Sequence, residues 1–271
     1  MDLRGKCVVK IGGSVLKDSS SLVRIDSIVR HFEDPVIVVS AFKGITDALY
    51  DLYECGECRL NGLKDLINMH LRMIKEEFSY SGDFQISQDS IKERDSYVSY
   101  GEKISAYVIA RFLTQNGLKS IPVYADSSGI MINDSSADSE IDIQASSLFL
   151  RKIEDIMDMK QIPIVTGFFG SDKFGKTRVL GRNSSDYSAV AVAAILGIDR
   201  VVLVKDVPGI YLNITDSKSL ARRIDYERAL ELCEAGARVV HPKALKLARE
   251  RNISLIITSG ESIESGTVIS D

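Results

Sequence analysis

Tryptophan is absent from this chain, and histidine and cysteine are scarce, at 3 and 4 residues. Among His31, His70 and His241, only His241, before Pro242, sits in motif-like company, and a satisfied structural histidine is the reading that position favours. No G-x-S-x-G elbow occurs, so a nucleophilic triad has no support. Cys7, Cys55, Cys58 and Cys233 are too scattered for a disulfide framework. Cys55-Gly56-Glu57-Cys58 forms a C-x-x-C, but without a second such pair, and with so few histidines, it does not make a zinc site. It reads as a loop after a helix, carrying reduced thiols. No basic block occurs either: 34 Lys and Arg stand against 38 Asp and Glu in mixed-sign stretches, for a net charge of −4. That pattern argues against nucleic acid or a membrane surface as partner and leaves room for a small anionic ligand. Finally, no run of eighteen apolar residues occurs, and Met1 to Lys6 lacks an apolar signal core, so a cytoplasmic protein is expected.

What is present is an alternation of strand and helix signals over 271 residues, 45% of them hydrophobic. That length suits a single large α/β domain or two closely joined lobes. Cys7-Val8-Val9-Lys10-Ile11 reads as a buried strand entering a glycine turn, Gly12-Gly13-Ser14. Glycine there lets the backbone approach a phosphate, and Lys10 points into the same space, although two glycines alone fit a plain strand-to-helix turn as well. Pro35 to Val39 is a second strand, ending in Ser40 and Ala41 before Gly44-Ile45-Thr46-Asp47 and a helix. Helical spacing covers Leu63 to Phe78 and Ile91 to Leu113, the latter interrupted by Gly101 at a cost of about 1 kcal/mol relative to Ala. Such a glycine often marks a close neighbour. Beside it, Glu102 is either a solvated helix carboxylate or a ligand for an ammonium group. A strand at Ser120 to Ala125, a polar segment over 126–143 that is either a lid or an irregular loop, and a helix from Ala145 to Met157 follow.

Gln161 to Gly170 reads as another buried strand, and Gly170 to Thr177 matches the P-loop pattern G-x-x-x-x-G-K-[ST] at every position. A working P-loop needs its Lys-Thr to open a helix. Here Arg178-Val179-Leu180-Gly181 follows, β-like and stopped by glycine, so a hairpin is expected instead. The polar cluster Gly181-Arg182-Asn183-Ser184-Ser185-Asp186 then runs into a small, apolar helical segment ending at Gly197, which aims a helix N-terminus at an anion. Strands fit Arg200 to Val204, Leu255 to Thr258 and Thr267 to Ile269, and helices fit Tyr226 to Glu234 and Lys243 to Arg251. The alternation predicts a three-layer α/β/α sandwich with a mainly parallel central sheet. Its carboxyl edge would gather glycines, hydroxyls, Lys10, Arg182, Lys205 and Asp186, as phosphoryl transfer requires.

Taken together, these pieces resemble the amino-acid kinase superfamily, and within it the aspartokinases. Val9 to Ser14 is similar to K-F-G-G-T-S, and Val38 to Asp47 to V-V-S-A-x-x-G-x-T-[ND]. Tyr100 to Ala106 is similar to G-E-[RK]-x-S-A, and Thr166 to Ala189 carries the most specific signature. Lys205 to Tyr211 and Gly236 to Pro242 complete the set in the family's order. The resemblance spans nearly all of 1–271 as one kinase domain, roughly an amino-acid lobe over 1–180 and a nucleotide lobe over 181–271. It implies that Lys10 bridges the transferring phosphoryl oxygens, with Gly12, Gly13 and Ser14 as the phosphate turn, and that Asp186 organises the cationic groups. Ser40, Thr46, Asn183 and Ser185 would face the amino acid, Glu102 its α-ammonium and Arg182 its α-carboxylate. Lys205, Asp206, Tyr211 and Arg238 would line the nucleotide, MgATP, whose Mg is held mainly by the phosphates. A homodimer is expected on the same ground.

The departures from the pattern are specific. The family's R-G-G-S-D is here Arg182-Asn183-Ser184-Ser185-Asp186, Ser14-Val15 replaces Thr-Ser, Lys205 stands where Thr is usual, and Asp216 falls where Arg is usual. The sequence ends at Asp271, so the regulatory ACT domains of many aspartokinases are not expected. Three functions follow. The first is phosphorylation of the aspartate side-chain carboxylate. The second is a homoserine kinase with the same amino-acid clamp, in which Asn183 and Ser184 favour a neutral hydroxyl. The third is a non-catalytic nucleotide-binding regulator, which the presence of both Lys10 and Asp186 disfavours.

Overall fold

The structure, a computed structural model, describes residues 5–73, 86, 88–133, 139–212, 219–236, 240–259 and 265–271. From the N-terminus come β1 (Lys6–Ile11), α1 (Ser19–Val29), β2 (Asp34–Val39), α2 (Ile45–Cys55) and α3 (Arg59–Leu71). Next are α4 (Gln88–Lys92), α5 (Arg94–Val98), α6 (Tyr100–Gln115), β3 (Ser120–Val123) and α7 (Ala125–Ser128). The middle of the chain supplies β4 (Ile132–Asn133), β5 (Glu140–Ile141), α8 (Ser147–Asp158), β6 (Ile162–Thr166), β7 (Phe169–Ser171) and β8 (Thr177–Val179). The last part holds α9 (Ser185–Leu196), β9 (Arg200–Lys205), β10 (Arg223–Ile224), α10 (Tyr226–Glu234), α11 (Pro242–Glu250), β11 (Ser254–Ser259) and β12 (Gly266–Ile269).

Among the described residues, eight strands form one sheet in the order β10-β12-β11-β9-β1-β2-β6-β3, parallel except where β12 runs against β11. The expected three-layer α/β fold is what is observed. β1 and β2 are apolar for almost their whole length because both of their faces are covered, as central parallel strands require. α1 and α6 supply one helical layer; α8, α9 and α11 supply the other. β1 has β2 on one side and β9 on the other. The chain therefore winds away from β1 in both directions, and ligand clefts open at the carboxyl ends of strands at such a switch point.

α9 carries small and β-branched residues around its whole circumference, Ala189 to Ala193 being fully buried. A helix hydrophobic on all sides has to lie within the core. It packs on β1, β2 and β9 and ends at Gly197, whose left-handed φ of 64° closes the helix. Its N-terminus is thereby fixed above the ends of those strands.

Several boundaries differ from the sequence reading. The single helix expected over Ile91 to Leu113 is three, because Glu93 adopts an extended backbone and Tyr97 turns inward, its hydroxyl donating to the Arg59 carbonyl. Part of the helix expected to Phe78 lies outside the described residues. The strand expected to Ala125 stops at Val123, since the Ala125 N–H is taken by the Thr166 hydroxyl at 2.9 Å. The run from Gln161 to Gly170 breaks after Thr166, where Phe168 turns to a φ of 74°. Gly170 to Thr177 is the expected hairpin and not a P-loop: β7 and β8 pair antiparallel, and the Asp172 carboxylate accepts from the N–H groups of Phe174 and Lys176. Of the polar segment 126–143, residues 134–138 lie outside the described residues, and α7, β4 and β5 occupy part of the rest.

Cys55 and Cys58 form a disulfide, where reduced thiols were expected. Gly56, at a φ of 69°, allows the tight turn between α2 and α3 that brings their Cα atoms to 5.6 Å.

Gly101 in α6 has the close neighbour its position implied. A Cβ there would lie 2.9 Å from the Ala41 Cβ and 3.3 Å from Leu49 Cδ1. Replacing Gly by Ala gains up to about 1 kcal/mol of helix propensity, whereas overpacking a fixed contact costs about 1–3 kcal/mol. The clash outweighs the gain, because Ala41 has no flexible side chain to move aside. Gly101→Ala is therefore expected to lower stability by about 1 kcal/mol in denaturant titration; a stabilised variant would show that α6 does not press on Ala41.

Candidate active site

The carboxyl ends of β1, β2 and β9 and the N-terminus of α9 surround a cleft of about 700 Å³. Lys10 is near the end of β1 and Lys205 at the end of β9, neighbouring parallel strands with Lys10 opposite Leu203. Two residues further along each pleat, the register sets Lys205 beside Gly12, so both lysines leave the sheet on one side. Between them stands Asp186, in the first turn of α9 and 4% exposed. Lys205 Nζ donates to its Oδ2 at 2.6 Å, and Lys10 Nζ forms an ion pair with Oδ1 at 2.8 Å, off the hydrogen-bond direction. Burial alone would raise the Asp186 pKa, but the two ammonium groups overcome it and hold the carboxyl well below the usual carboxylate range. A Cβ at Gly12 would sit 3.2 Å from the Lys10 ammonium, so glycine there spares the lysine a tight contact.

A second carboxylate lines the same cleft. Glu102, in the first turn of α6, is 3% exposed; Oε1 accepts the Ala41 N–H at 3.0 Å and Oε2 has no hydrogen-bond partner. Burial pushes its pKa up to about 8, partly offset by the Ala41 N–H and by Lys10. An orphan oxygen on a buried acid is a cost that an arriving cation would remove.

Ser40, Thr46, Arg182, Asn183 and Ser185 line the same cleft, as do Gly13 and Ser14 of the first turn and Asp206 beyond β9. Arg182 is exposed, with its guanidinium 2.9 Å from Asp47 and 5.5 Å from the Tyr50 ring centre. Asn183 has a φ of 62°, so it keeps the left-handed backbone that suits a glycine, which Asn tolerates better than most residues. Ser184, by contrast, is buried and donates its hydroxyl to the Gly181 carbonyl at 2.8 Å, away from the cleft. The expectation that Asn183 and Ser184 act together on the acceptor therefore fails for Ser184. Tyr211 does not line the cleft; it pairs with Leu220 in a short bridge. Arg238 lies outside the described residues.

Among the cleft residues that had not been assigned to the site are Asp47, Phe168 and Cys233. Asp47 is the partner of Arg182, and Phe168 contributes a buried ring from a left-handed backbone. Cys233 enters from the end of α10. Asp47 follows Thr46 within a quoted motif and was there to be read; the other two depend on turns that only the fold reveals. His241 also lines the cleft, but its Nδ1 accepts the Lys243 N–H as the cap of α11, the structural role expected for it.

Among the described residues, no three His, Cys, Asp or Glu side chains converge as a metal cage. Asp186 is already engaged by two lysines. This donor set suits Mg²⁺ held chiefly by nucleotide phosphates and water, the ion's ordinary preference in kinases.

Fold and cleft together define an α/β protein that presents two buried ammonium groups and a glycine turn to a small anion at the switch point of a parallel sheet. The chain belongs to the amino acid kinase family, whose model matches residues 5–259. Among curated relatives, it is 28% identical to aspartokinase 1, chloroplastic, of Arabidopsis thaliana, over 97% of this chain and 52% of that protein. It is equally 28% identical to the aspartokinase of Bacillus sp. (strain MGA3), over 98% of this chain and 59% of that one. The crystal structure of E. coli aspartokinase III in complex with aspartate and ADP superposes with a TM-score of 0.81 at 25% identity, over 98% of this chain and 65% of that chain. The chain thus spans about half the length of the curated relatives it matches.

The Glu102 carboxyl has a direct consequence. Its pKa in the fold lies above the ordinary 4.5, so the folded state favours the protonated acid. The stability it contributes is whole below about pH 4.5 and is lost as the pH rises through about 8. Thermal melts of Glu102→Gln should fall less between pH 5 and pH 8 than those of the native chain; parallel curves would mean that Glu102 ionises freely.

Proposed function

We propose that this chain is an ATP-dependent kinase that transfers the γ-phosphoryl group to the side-chain carboxylate of aspartate. The observation that carries the proposal is the lining of one cleft: a buried carboxylate with an orphan oxygen, an exposed arginine, and two ammonium groups around Asp186. Glu102 and Arg182 suit the α-ammonium and α-carboxylate of an amino acid. Lys10, with the N–H groups of Gly12 and Gly13, suits the transferring phosphoryl group, and Lys205 and Asp206 face the nucleotide side. The likeness to aspartokinases, one of them seen with aspartate and ADP, supports the same assignment.

In the transfer, a carboxylate oxygen of aspartate forms a bond to the γ-phosphorus while the bond from that phosphorus to the β,γ-bridging oxygen breaks. The electron pair of the broken bond leaves with ADP. No proton has to move, because the acceptor is already ionised. A hydroxyl acceptor such as homoserine would have to lose a proton, and Asp186, held ionised by two lysines, is a poor base for it. This weighs for aspartate and against homoserine. MgATP is the donor on this reading. A homodimer rests on the family resemblance alone.

The test is ADP release by the purified chain with Mg²⁺ and ATP on aspartate, homoserine, glutamate and N-acetylglutamate. Turnover is expected on aspartate. Turnover on homoserine with none on aspartate would overturn the acceptor, and no turnover on any of them would favour a nucleotide-binding regulator. Within the active reading, Arg182→Ala should raise the aspartate KM by about 10- to 100-fold with kcat changed only a few-fold, the signature of a lost charged contact made before transfer. An unchanged KM would remove Arg182 from the clamp.

A further inference from the structure

We propose that Lys205 is a second catalytic lysine, acting with Lys10 on the transferring phosphoryl group. This deepens the phosphoryl-transfer reading above and rests on it. Asp186 carries one negative charge and is matched by Lys10 alone at 2.8 Å. Lys205, 2.6 Å from the other carboxylate oxygen, places a second ammonium on that one buried carboxylate, with the exposed Asp206 as a further countercharge. Side-chain exposures of 8% for Lys10, 15% for Lys205 and 6% for Asp186 leave little water to stabilise the second positive charge. Burial, and after it the neighbouring Lys10, lower the Lys205 pKa against an upward pull from Asp186 and Asp206, so the fold holds this ammonium at a cost. A phosphoryl group spreading negative charge over its oxygens during transfer is the anion that relieves it.

The placement is specific. Lys205 lies next to Gly12, whose lack of a side chain leaves the Lys10 ammonium room. One rigid carboxylate thus holds two ammonium groups, from adjacent strands, on the same side of the sheet. Preorganised charge of this kind is spent on the transition state because it needs no rearrangement when the reaction occurs. A lysine that merely lined the nucleotide would have no need of Asp186.

The experiment compares Lys205→Met, Lys205→Thr and Lys205→Arg with the native chain, each first checked for an unchanged melting transition. In steady-state kinetics on aspartate and MgATP, Met and Thr are expected to lower kcat by about 100-fold or more, with both KM values within about 3-fold of native. Arg is expected to recover most of the loss. A raised ATP KM with kcat intact, or native kinetics in all three variants, would overturn the proposal. A second readout does not depend on the acceptor: calorimetric binding of ADP with Mg²⁺, alone and with tetrafluoroaluminate as a mimic of the transferring group. The native chain is expected to bind the mimic complex more tightly than ADP, and Lys205→Met to lose that difference while keeping its ADP affinity. Loss of the difference in a protein that phosphorylates none of the acceptors would refute the aspartate kinase reading and keep this one. Equal affinity of native and Lys205→Met proteins for the mimic complex would refute this one.

Discussion

One buried carboxylate held between two ammonium groups is the interaction on which the rest of the structure depends. Asp186 would not stay ionised at 4% exposure without cations beside it, and Lys205, whose pKa burial lowers, is in turn supported by Asp186. Holding three charges in place requires a rigid frame. The parallel pairing of β1 with β9 sets the two lysines side by side, and an all-round apolar α9, wedged on those strands, delivers Asp186 between them. Burying Val190, Val192 and Ile195 of that helix contributes about 1.5–3 kcal/mol each. The frame is therefore far stronger than any surface ion pair, which is worth about 0–1 kcal/mol.

The second buried acid of the cleft follows a different logic. There the fold tolerates an unfavourable group: Glu102 keeps one oxygen unpartnered and its pKa near 8. Gly101 makes this possible by letting α6 approach Ala41, whose N–H fixes the carboxyl's other oxygen. Two ammonium groups on one carboxylate and, in the same cleft, an acid with an unpartnered oxygen give the cleft an electrostatic shape. A zwitterionic amino acid lying beside a polyphosphate complements it.

Much of this was legible in the sequence, for physical reasons. Central strands such as Val8 to Ile11 and Val36 to Val39 read as continuous apolar runs because parallel sheets bury both faces. α9 read as a small, apolar helix closed by Gly197, and the structure buries it on all sides. The rejection of the P-loop match held because Arg178-Val179 has strand chemistry where a helix would have to begin. What escaped depends on contacts distant in sequence. No glycine or proline marks Glu93, where the expected long helix breaks so that Tyr97 can reach Arg59. Ser184 reads as an acceptor-facing hydroxyl but donates to the Gly181 carbonyl, and the Cys55–Cys58 disulfide depends on the turn at Gly56 between α2 and α3. Lys205 was visible as a departure from the family pattern, but its nearness to Asp186 required the register of β1 against β9.

Because a carboxylate acceptor needs no proton removed and a hydroxyl acceptor does, the chemical nature of the product tests the proposed reaction most directly. Acyl phosphates are converted by hydroxylamine to hydroxamates, whereas phosphate esters of alcohols are inert to it. The chain, incubated with MgATP, aspartate and hydroxylamine, should accumulate aspartyl hydroxamate in step with ADP. ADP released with aspartate present but without hydroxamate, alongside a hydroxylamine-inert phosphate ester when homoserine replaces aspartate, would contradict it.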